Sequence, residues 1–267
     1  MKSMTLFNSR MSRWSGVVVV SLAGLIAVSA AVRAENWPQW RGAKHNGISN
    51  EKNVPTEWSK TENVAWRLAL PGAAGATPVV WGERIFLTSV NQSDLLLMCV
   101  GTDGHEKWRQ VVGTGNKTVN VDEGNSASPS PSTDGEHVWA MMGNGALGCY
   151  SVAGKEVWKL NLPDRYGKFH IAFGMTSTPI LDGDRLYLQL IHGEGNPKTR
   201  EAVVVCLDKR TGSEIWKRDR PSDAIDECEH SYASPTMYDD GQRKFLLSHG
   251  ADFIVAHDLS DGHELWR

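Results

Sequence analysis

The sequence predicts an all-β protein, a β-propeller built from four-stranded blades, and three observations support this prediction. A glycine–tryptophan signature occurs four times, and its tryptophans lie 50, 58 and 50 residues apart. A small or hydroxyl residue followed by proline precedes each signature. Between these two elements, β-rich runs alternate with glycine-containing turns, which gives four short strands per repeat. Such a period and such a strand pattern are typical of propeller blades.

Each signature consists of a turn glycine and, four residues later, a tryptophan. The pairs are Gly104 and Trp108, Gly154 and Trp158, Gly212 and Trp216, and Gly262 and Trp266. Glycine suits a turn between strands because it adopts a positive φ without steric cost. We expect the tryptophan to lie between the sheets of adjacent blades, with its indole N–H able to reach a carbonyl.

The proline element marks the first strand of each predicted blade. Its copies are Thr77-Pro78, Ser130-Pro131, Thr178-Pro179 and Ser234-Pro235. In the first three copies a glycine lies four residues after the proline, and it separates the first strand from the second. We therefore expect blades at about residues 67–108, 109–158, 159–216 and 217–267.

The repeats resemble those of the quinoprotein-type propellers, known as pyrroloquinoline-quinone-like (PQQ-like) repeats, over about residues 67–267. The segment Asn36-Trp37-Pro38-Gln39-Trp40-Arg41-Gly42 also resembles the N-terminal lead-in of secreted bacterial members. WD40 and kelch repeats fit less well, because no tryptophan is followed by aspartate and no Gly-Gly pair occurs. The resemblance implies a non-catalytic scaffold, similar to the propellers of outer-membrane-protein assembly, that binds a protein partner or an extracellular ligand.

A quinone-dependent oxidoreductase is the alternative that the resemblance also implies. In such dehydrogenases the quinone lies between a tryptophan face and a disulfide of adjacent cysteines, beside a calcium ion held by acidic and amide side chains, with an aspartate as base. This chain has no adjacent cysteines and no clear set of calcium ligands. We therefore expect no cofactor, no metal and no catalytic residue, with a PQQ- and calcium-dependent dehydrogenase as the alternative. A sensor module of a larger protein is a third alternative.

Residues 1–34 are predicted to form a signal peptide, because a basic start precedes an apolar run that ends in small residues at Ala34. An uncleaved membrane anchor is the alternative, although the apolar run is short for a membrane span. We expect the mature protein to be periplasmic or secreted and not to span a membrane. The net charge of −3 gives no indication of a nucleic-acid-binding surface.

Residues 35–66 are interpreted as a lead-in that ends in the outer strand of a closing blade, with Trp66 in the signature position. Propellers close into rings of about 4–8 blades. At the observed period, seven or eight blades would need about 350–400 residues. The chain is therefore expected to be a fragment that holds about four blades. A genuine four-bladed ring is the alternative.

Three of the cysteines occupy equivalent positions in successive repeats. They are Cys99, Cys149 and Cys206, and the fourth repeat has Ala256 there. A position shared by cysteine and alanine is expected to be a small buried strand site. Because equivalent positions lie on different blades, these sulfurs are not expected to bind one metal ion. Cys228 lies alone in a loop and is expected to be a free thiol.

The segments that lead into the blades carry the candidate ligand-binding residues. These segments are irregular and polar, and they precede the innermost strands, so we expect them to meet at one mouth of the central funnel. The candidates are Glu123, Asn125, His170, Glu229, His230 and Tyr232. Their carboxylates and imidazoles could bind a cation or a polar ligand. The alternative is that they are solvated loop residues or that they hydrogen-bond the strand ends.

Overall fold

The computed structural model describes residues 34–116, 124–171, 173–192 and 201–267. These residues form four four-stranded sheets, and in each sheet the strands pair in sequence order. All the strand pairs are antiparallel. This arrangement confirms the prediction of a β-propeller with about four blades. Residues 1–33 of the predicted signal peptide lie outside the described ranges.

The first two sheets each run from an innermost strand to an outermost strand. The first contains β1 (Val79–Trp81), β2 (Arg84–Asn91), β3 (Asp94–Gly101) and β4 (Glu106–Thr114). The second contains β5 (Ser132–Thr133), β6 (His137–Met141), β7 (Ala146–Ser151) and β8 (Glu156–Asn161). The turn glycines Gly82 and Gly135 have φ angles of 57° and 89°, which residues other than glycine rarely adopt.

The third and fourth sheets repeat this order. The third contains β9 (Ile180–Asp182), β10 (Arg185–His192), β11 (Glu201–Asp208) and β12 (Glu214–Asp219). The fourth contains β13 (Thr236–Asp239), β14 (Lys244–Gly250), β15 (Phe253–His257) and β16 (Glu264–Trp266). The middle strand β10 is buried at all but its first residue, as expected of a strand covered on both faces, whereas β14 is buried at three of its seven residues.

In every sheet the signature tryptophan lies directly opposite the small residue of the neighbouring strand. The pairs are Cys99 with Trp108, Cys149 with Trp158, Cys206 with Trp216 and Ala256 with Trp266. The three cysteines of this set are fully buried, and burial raises the pKa of their thiols to about 11 or 12. The register shifts next to each pair, so a β-bulge recurs at the same place in each sheet.

The first three signature tryptophans are also bound to the next sheet along the chain. The indole N–H of Trp108 donates to the carbonyl of Val152 at 3.1 Å, and that of Trp216 donates to the carbonyl of Leu259 at 3.1 Å. The indole also covers the next turn glycine, since a Cβ on Gly262 would stand 2.5 Å from the ring of Trp216. Both this close contact and the φ angle of 78° require glycine at position 262. The predicted role of the tryptophans between adjacent sheets is therefore confirmed.

A second ladder joins the sheets at their innermost strands, through the residues that precede the prolines. The backbone N–H of Thr77 donates to Ser130 Oγ at 3.0 Å, and that of Ser130 donates to Thr178 Oγ1 at 3.0 Å. The N–H of Thr178 donates to Ser234 Oγ at 2.9 Å. Hydroxyl residues recur here because Ser130, Thr178 and Ser234 each accept the N–H of the counterpart in the preceding sheet.

The lead-in segment around Gln39 crosses the innermost strands of three sheets. Trp37 forms a two-way backbone bridge with Val80, and the carbonyl of Pro38 accepts from the N–H of Thr133 at 2.8 Å. The buried amide of Gln39 pairs with the backbone of Leu181 through two hydrogen bonds of 3.1 Å. Val80 and Leu181 are the middle residues of β1 and β9, and Thr133 is the last residue of β5, so the segment lies along the innermost strands themselves.

Two short helical elements interrupt the otherwise all-β chain: a helix α1 (Leu162–Tyr166) and a 3₁₀ turn (Asp226–Glu229). Helix α1 forms because Pro163 favours its first turn and because Leu162 and Tyr166, one turn apart, are both buried. Neither of these two described helices has the length or apolar character needed to cross a bilayer.

The segment around Trp66 differs from its prediction, because it is in no β-strand. No β-ladder partner lies beside it among the described residues. Its indole N–H nevertheless donates to the carbonyl of Thr102 at 2.8 Å, and its ring covers Gly104. Trp66 thus makes the contact that a signature tryptophan makes with the next sheet, without the strand.

Candidate functional site

The described candidate residues lie in three segments that precede β5, β9 and β13. Glu123 lies outside the described residues, so Asn125 represents the first segment. Asn125 organises its own loop: its Oδ1 accepts the N–H of Ala127 at 2.8 Å, and its carbonyl accepts the hydroxyl of Ser128 at 2.8 Å. The neighbouring Gly124 is tight against the second segment, because a Cβ there would stand 2.5 Å from the carbonyl oxygen of Phe173.

His170, in the second segment, is exposed and adjoins a buried histidine that sequence reasoning missed. The backbone N–H of His170 points to Nδ1 of His192 at 3.5 Å, and the ring of Phe169 lies 4.9 Å from the ring of His192. His192 is 1% exposed. Burial, assisted by the nearby His170 ring, lowers its pKa from 6.5 to about 4, so it is neutral at physiological pH. Its place at the end of a buried strand was the only sequence signal.

The third segment supplies the best-defined contact among the candidates. Tyr232 Oη lies 3.0 Å from Nε2 of His230, and the two rings meet edge to face at 5.1 Å. The same hydroxyl oxygen accepts the backbone N–H of Phe173 at 3.3 Å. Nδ1 of His230 is buried and has no hydrogen-bond partner.

The structure thus brings some of the candidates together and separates others. His230 and Tyr232 touch each other, and Phe173 connects them to Gly124 and so to the loop of Asn125. Glu229 is buried beside them and faces a different cavity, of about 560 Å³, near β12. The three segments therefore interlock, but the polar side chains do not all point into one pocket.

A second cavity, of about 540 Å³, lies between the first and second candidate segments. Its wall combines Ser126, Lys168, Phe169 and Ile171 with the turn at Asn144. Both cavities have the size typical of small-molecule sites. Polar and apolar groups are mixed in their walls, so neither cavity points to one reaction.

The described residues contain one cluster of three side chains that could bind a metal ion: Asp258, Asp261 and His263, on a turn of the fourth sheet. Hydrogen bonds within the turn already account for its geometry: Asp258 accepts the N–H of Ser260 at 2.7 Å, and Asp261 accepts that of His263 at 2.9 Å. None of the described mouth candidates belongs to a group of three possible ligands.

The described residues do not fit a quinone site of the dehydrogenase type. The chain has no adjacent cysteines, and its cysteines are all free: three buried in separate sheets and Cys228 exposed. At the described part of the mouth, imidazole and phenol groups bond to one another or to backbone, and no set of acidic and amide side chains converges. No chemical step can be derived through such a group from these residues.

Comparison with known proteins places these observations in context. The family described as "Outer membrane protein assembly factor BamB" matches residues 48–267. Quinohemoprotein alcohol dehydrogenase from Comamonas testosteroni is 16% identical, with a TM-score of 0.61 over 89% of this chain and 41% of that one. A europium-containing methanol dehydrogenase is 14% identical, with a TM-score of 0.61 over 86% of this chain and 48% of that one.

BamB from Moraxella catarrhalis aligns with 76% of this chain and 50% of its own, at 15% identity and a TM-score of 0.48. No curated protein matches the sequence. The chain spans less than half the length of the two dehydrogenases. At such low identity, the likeness to the dehydrogenases concerns the propeller fold alone.

Proposed function

The chain belongs to the family described as outer membrane protein assembly factor BamB, and from this premise we propose that it is an exported, non-catalytic propeller that binds a protein partner. The binding surface is the mouth formed by the three segments before β5, β9 and β13. Export is part of the proposal, and so is removal of residues 1–34.

The observation that carries this proposal is the way in which the mouth residues are used. The hydroxyl of Tyr232 is hydrogen-bonded to His230 and to the backbone N–H of Phe173, and the side chain of Asn125 is hydrogen-bonded within its own loop. These bonds hold three segments in one preformed surface, which lowers the entropy cost of binding a partner. Ile225, 67% exposed in the third segment, offers an apolar contact on this surface.

Site-specific photo-crosslinking in the native host tests the surface. A photoreactive amino acid is introduced at Lys168 or Ile225 on the mouth, and at Lys155 or Arg210 on outer turns as matched exposed controls. We expect one adduct of defined mass from the mouth positions and none from the outer turns. Adducts from the outer turns only, or from no position, would contradict the proposed surface.

Two further measurements test the remaining parts of the proposal. N-terminal sequencing of the protein recovered outside the cytoplasm is expected to begin at Glu35, and retention of Met1 in a cytoplasmic protein would contradict export. Titration of the full chain with PQQ and calcium is expected to give no saturable binding and no dye reduction. Turnover in that assay would replace the scaffold with an oxidoreductase.

A further inference from the structure

The lead-in segment forms a tight turn beside the third and fourth sheets. The carbonyl of Gln39 accepts the N–H of Gly42 at 2.8 Å, and the carbonyl of Arg41 accepts that of Gly47 at 2.9 Å. Arg41 and His45 have φ angles of 74° and 55°, in the left-handed region that residues other than glycine rarely adopt. Such a backbone persists only where its surroundings fix it, so the side chains of this turn extend from a fixed backbone.

The turn lines a cavity of about 600 Å³ at the C-terminal ends of two innermost strands. Asp182 and Asp239, the last residues of β9 and β13, lie in its wall, with Met237 and Tyr238 beside Asp239. A cavity of this volume can hold a small organic molecule. The mouth segments enter the same two strands at their other ends, so this cavity is separate from the proposed partner surface.

The charges in the wall of this cavity are only partly balanced. Lys244 Nζ lies 2.7 Å from Asp182 Oδ1, so these two charges cancel. Arg41 and Lys44 also line the cavity, and among the described residues neither forms an ion pair. Asp239 is the remaining carboxylate of the wall, so three cations face two carboxylates. The resulting net positive charge favours an anionic ligand.

His45, half-buried in the same turn, can add a further positive charge. Its Nε2 lies 3.4 Å from Nε2 of Gln39. Burial lowers the pKa of His45 below its usual value of 6.5. The neighbouring charge of Asp182 opposes this shift, whereas Lys244 and Arg41 reinforce it. The ring is therefore neutral at pH 7, and an anion in the cavity would raise its pKa and favour uptake of a proton.

We propose that this cavity binds a small organic phosphate, with Arg41 and Lys44 as the residues that hold the phosphate group. Arginine and lysine both bind phosphate through charge-assisted hydrogen bonds. A phosphate monoester carries a charge of about −1.5 to −2 at pH 7, which matches the wall once His45 is protonated. Met237 and Tyr238 offer apolar contact to the organic group. This inference does not depend on the proposed protein partner, because it concerns the ends of β9 and β13 that lie away from the mouth.

Matched probes and matched variants test the site. The probes are phenyl phosphate, phenyl sulfate, which has a similar shape and one negative charge, and inorganic phosphate, each added to the full chain at pH 7 and constant ionic strength. The variants are the double change Arg41→Gln with Lys44→Gln and the control Lys52→Gln, which removes an exposed lysine of the same lead-in segment. Calorimetric titration measures binding, and circular dichroism without ligand checks that each variant is folded.

We expect phenyl phosphate to bind wild type and Lys52→Gln equally. The double variant should bind it at least about tenfold more weakly, because charge-assisted hydrogen bonds are lost. Phenyl sulfate and inorganic phosphate should both bind wild type more weakly than phenyl phosphate, since the first has less charge and the second lacks the organic group. Unweakened binding by the double variant, no binding to wild type, or equally tight binding of either other probe would overturn the proposal.

A measurement on wild type does not depend on any variant. The pKa of His45, followed by NMR of its ring, should rise when phenyl phosphate is bound, because the anion favours the protonated ring. The ring resonances of His105, on an exposed turn of the first sheet, should not change and serve as the internal control. An unchanged pKa of His45 at a saturating concentration of phenyl phosphate would overturn the proposal.

Discussion

The interface between the second and third sheets and the interface between the third and fourth sheets are built alike at their rims but differ in between. At the outer rim, the indoles of Trp158 and Trp216 each donate to a carbonyl of the next sheet at 3.1 Å. Between the rims, Leu162 joins a continuous apolar core that spans the second and third sheets, whereas Arg220 carries a charge into the equivalent place.

This difference shows which residues the repeat constrains. The rim residues close each interface with a backbone hydrogen bond, so their chemistry recurs in every copy. A residue between the rims needs only to fill space, and it can therefore change in one copy without loss of the fold. Properties that belong to one blade alone are expected at such positions, and Arg220 is the clearest case in the described residues.

An exchange of the two central residues tests this comparison with the largest expected effect. Leu162→Arg would bury a cation in an apolar core and should lower the free energy of unfolding by more than about 4 kcal/mol. Arg220→Leu should leave the protein equally stable or make it more stable, by up to about 4 kcal/mol. Urea unfolding followed by circular dichroism measures both. A severe loss of stability in Arg220→Leu would mean that the arginine is structural.

Removal of a tryptophan at the outer rim should have the next largest effect on the free energy of unfolding. Trp216→Ala should cost about 3–5 kcal/mol, since it empties a buried site and removes the bond to Leu259. Trp266→Ala is the control at the equivalent position of the fourth repeat, because Trp266 is 48% exposed, and it should cost less than half as much. Equal losses in urea unfolding would contradict the assignment of the indole to the interface.

Acid should weaken the interface between the second and third sheets through His192. Its folded-state pKa of about 4 lies below the usual 6.5, so the unfolded chain binds the proton more readily. Stability is therefore lost as the pH falls from 6.5 towards 4, by about 2–3 kcal/mol from this group. His192→Phe should remove that part of the pH dependence of unfolding, and the exposed control His105→Gln should not. An unchanged pH profile in His192→Phe would argue against a neutral buried ring.

Loss of a hydrogen bond at the inner rim, the ladder that joins Ser130, Thr178 and their equivalents before the innermost strands, should have a smaller effect on stability. Thr178→Val removes the oxygen that accepts the N–H of Ser130 and leaves that buried N–H unsatisfied, at a cost of about 1–2 kcal/mol. Thr178→Ser keeps the oxygen and serves as the control. Amide hydrogen exchange at Ser130 should become faster in the valine variant alone. Similar exchange in both variants would show that the hydroxyl is not the acceptor.

Ion pairs that cross the two interfaces should have the smallest effects. Lys209 is mostly buried and lies 3.0 Å from Asp134, whereas Arg218 is exposed and lies 3.7 Å from Asp261. Lys209→Met should cost about 1 kcal/mol and Arg218→Met less than about 0.5 kcal/mol. Thermal unfolding measures both losses, and a larger loss of stability in Arg218→Met than in Lys209→Met would reverse the ranking.

The sequence was sufficient for the sheets because their determinants are local and periodic. Gly154 and Trp158, for example, combine a turn that needs a positive φ with a large ring at a fixed offset. The position of Arg220 could also have been found, because counting four residues from each tryptophan aligns it with Leu162. That comparison of single positions between repeats was the signal that sequence reasoning left unused.

The candidate site was less accessible to such reasoning. That His230 and Tyr232 lie near each other follows from their spacing, but the contact of Tyr232 with Phe173 depends on how two distant segments fold over the sheets. The burial of His192 likewise depends on packing from another segment. Such tertiary contacts decide whether a polar loop residue stabilises its own loop, as Asn125 does, or faces a ligand.

The pairing of Gln39 with Leu181 joins residues that are 142 positions apart in the chain. During synthesis the lead-in segment emerges early, yet its partner strand exists only after two complete sheets have been made. Gln39 therefore cannot pair with Leu181 until the third sheet has formed, and closure of this long loop carries an entropic penalty that slows folding. We expect docking of Gln39 to be a late step in folding, which joins three sheets that have already formed. The time at which Gln39 docks would therefore show when the third sheet is complete.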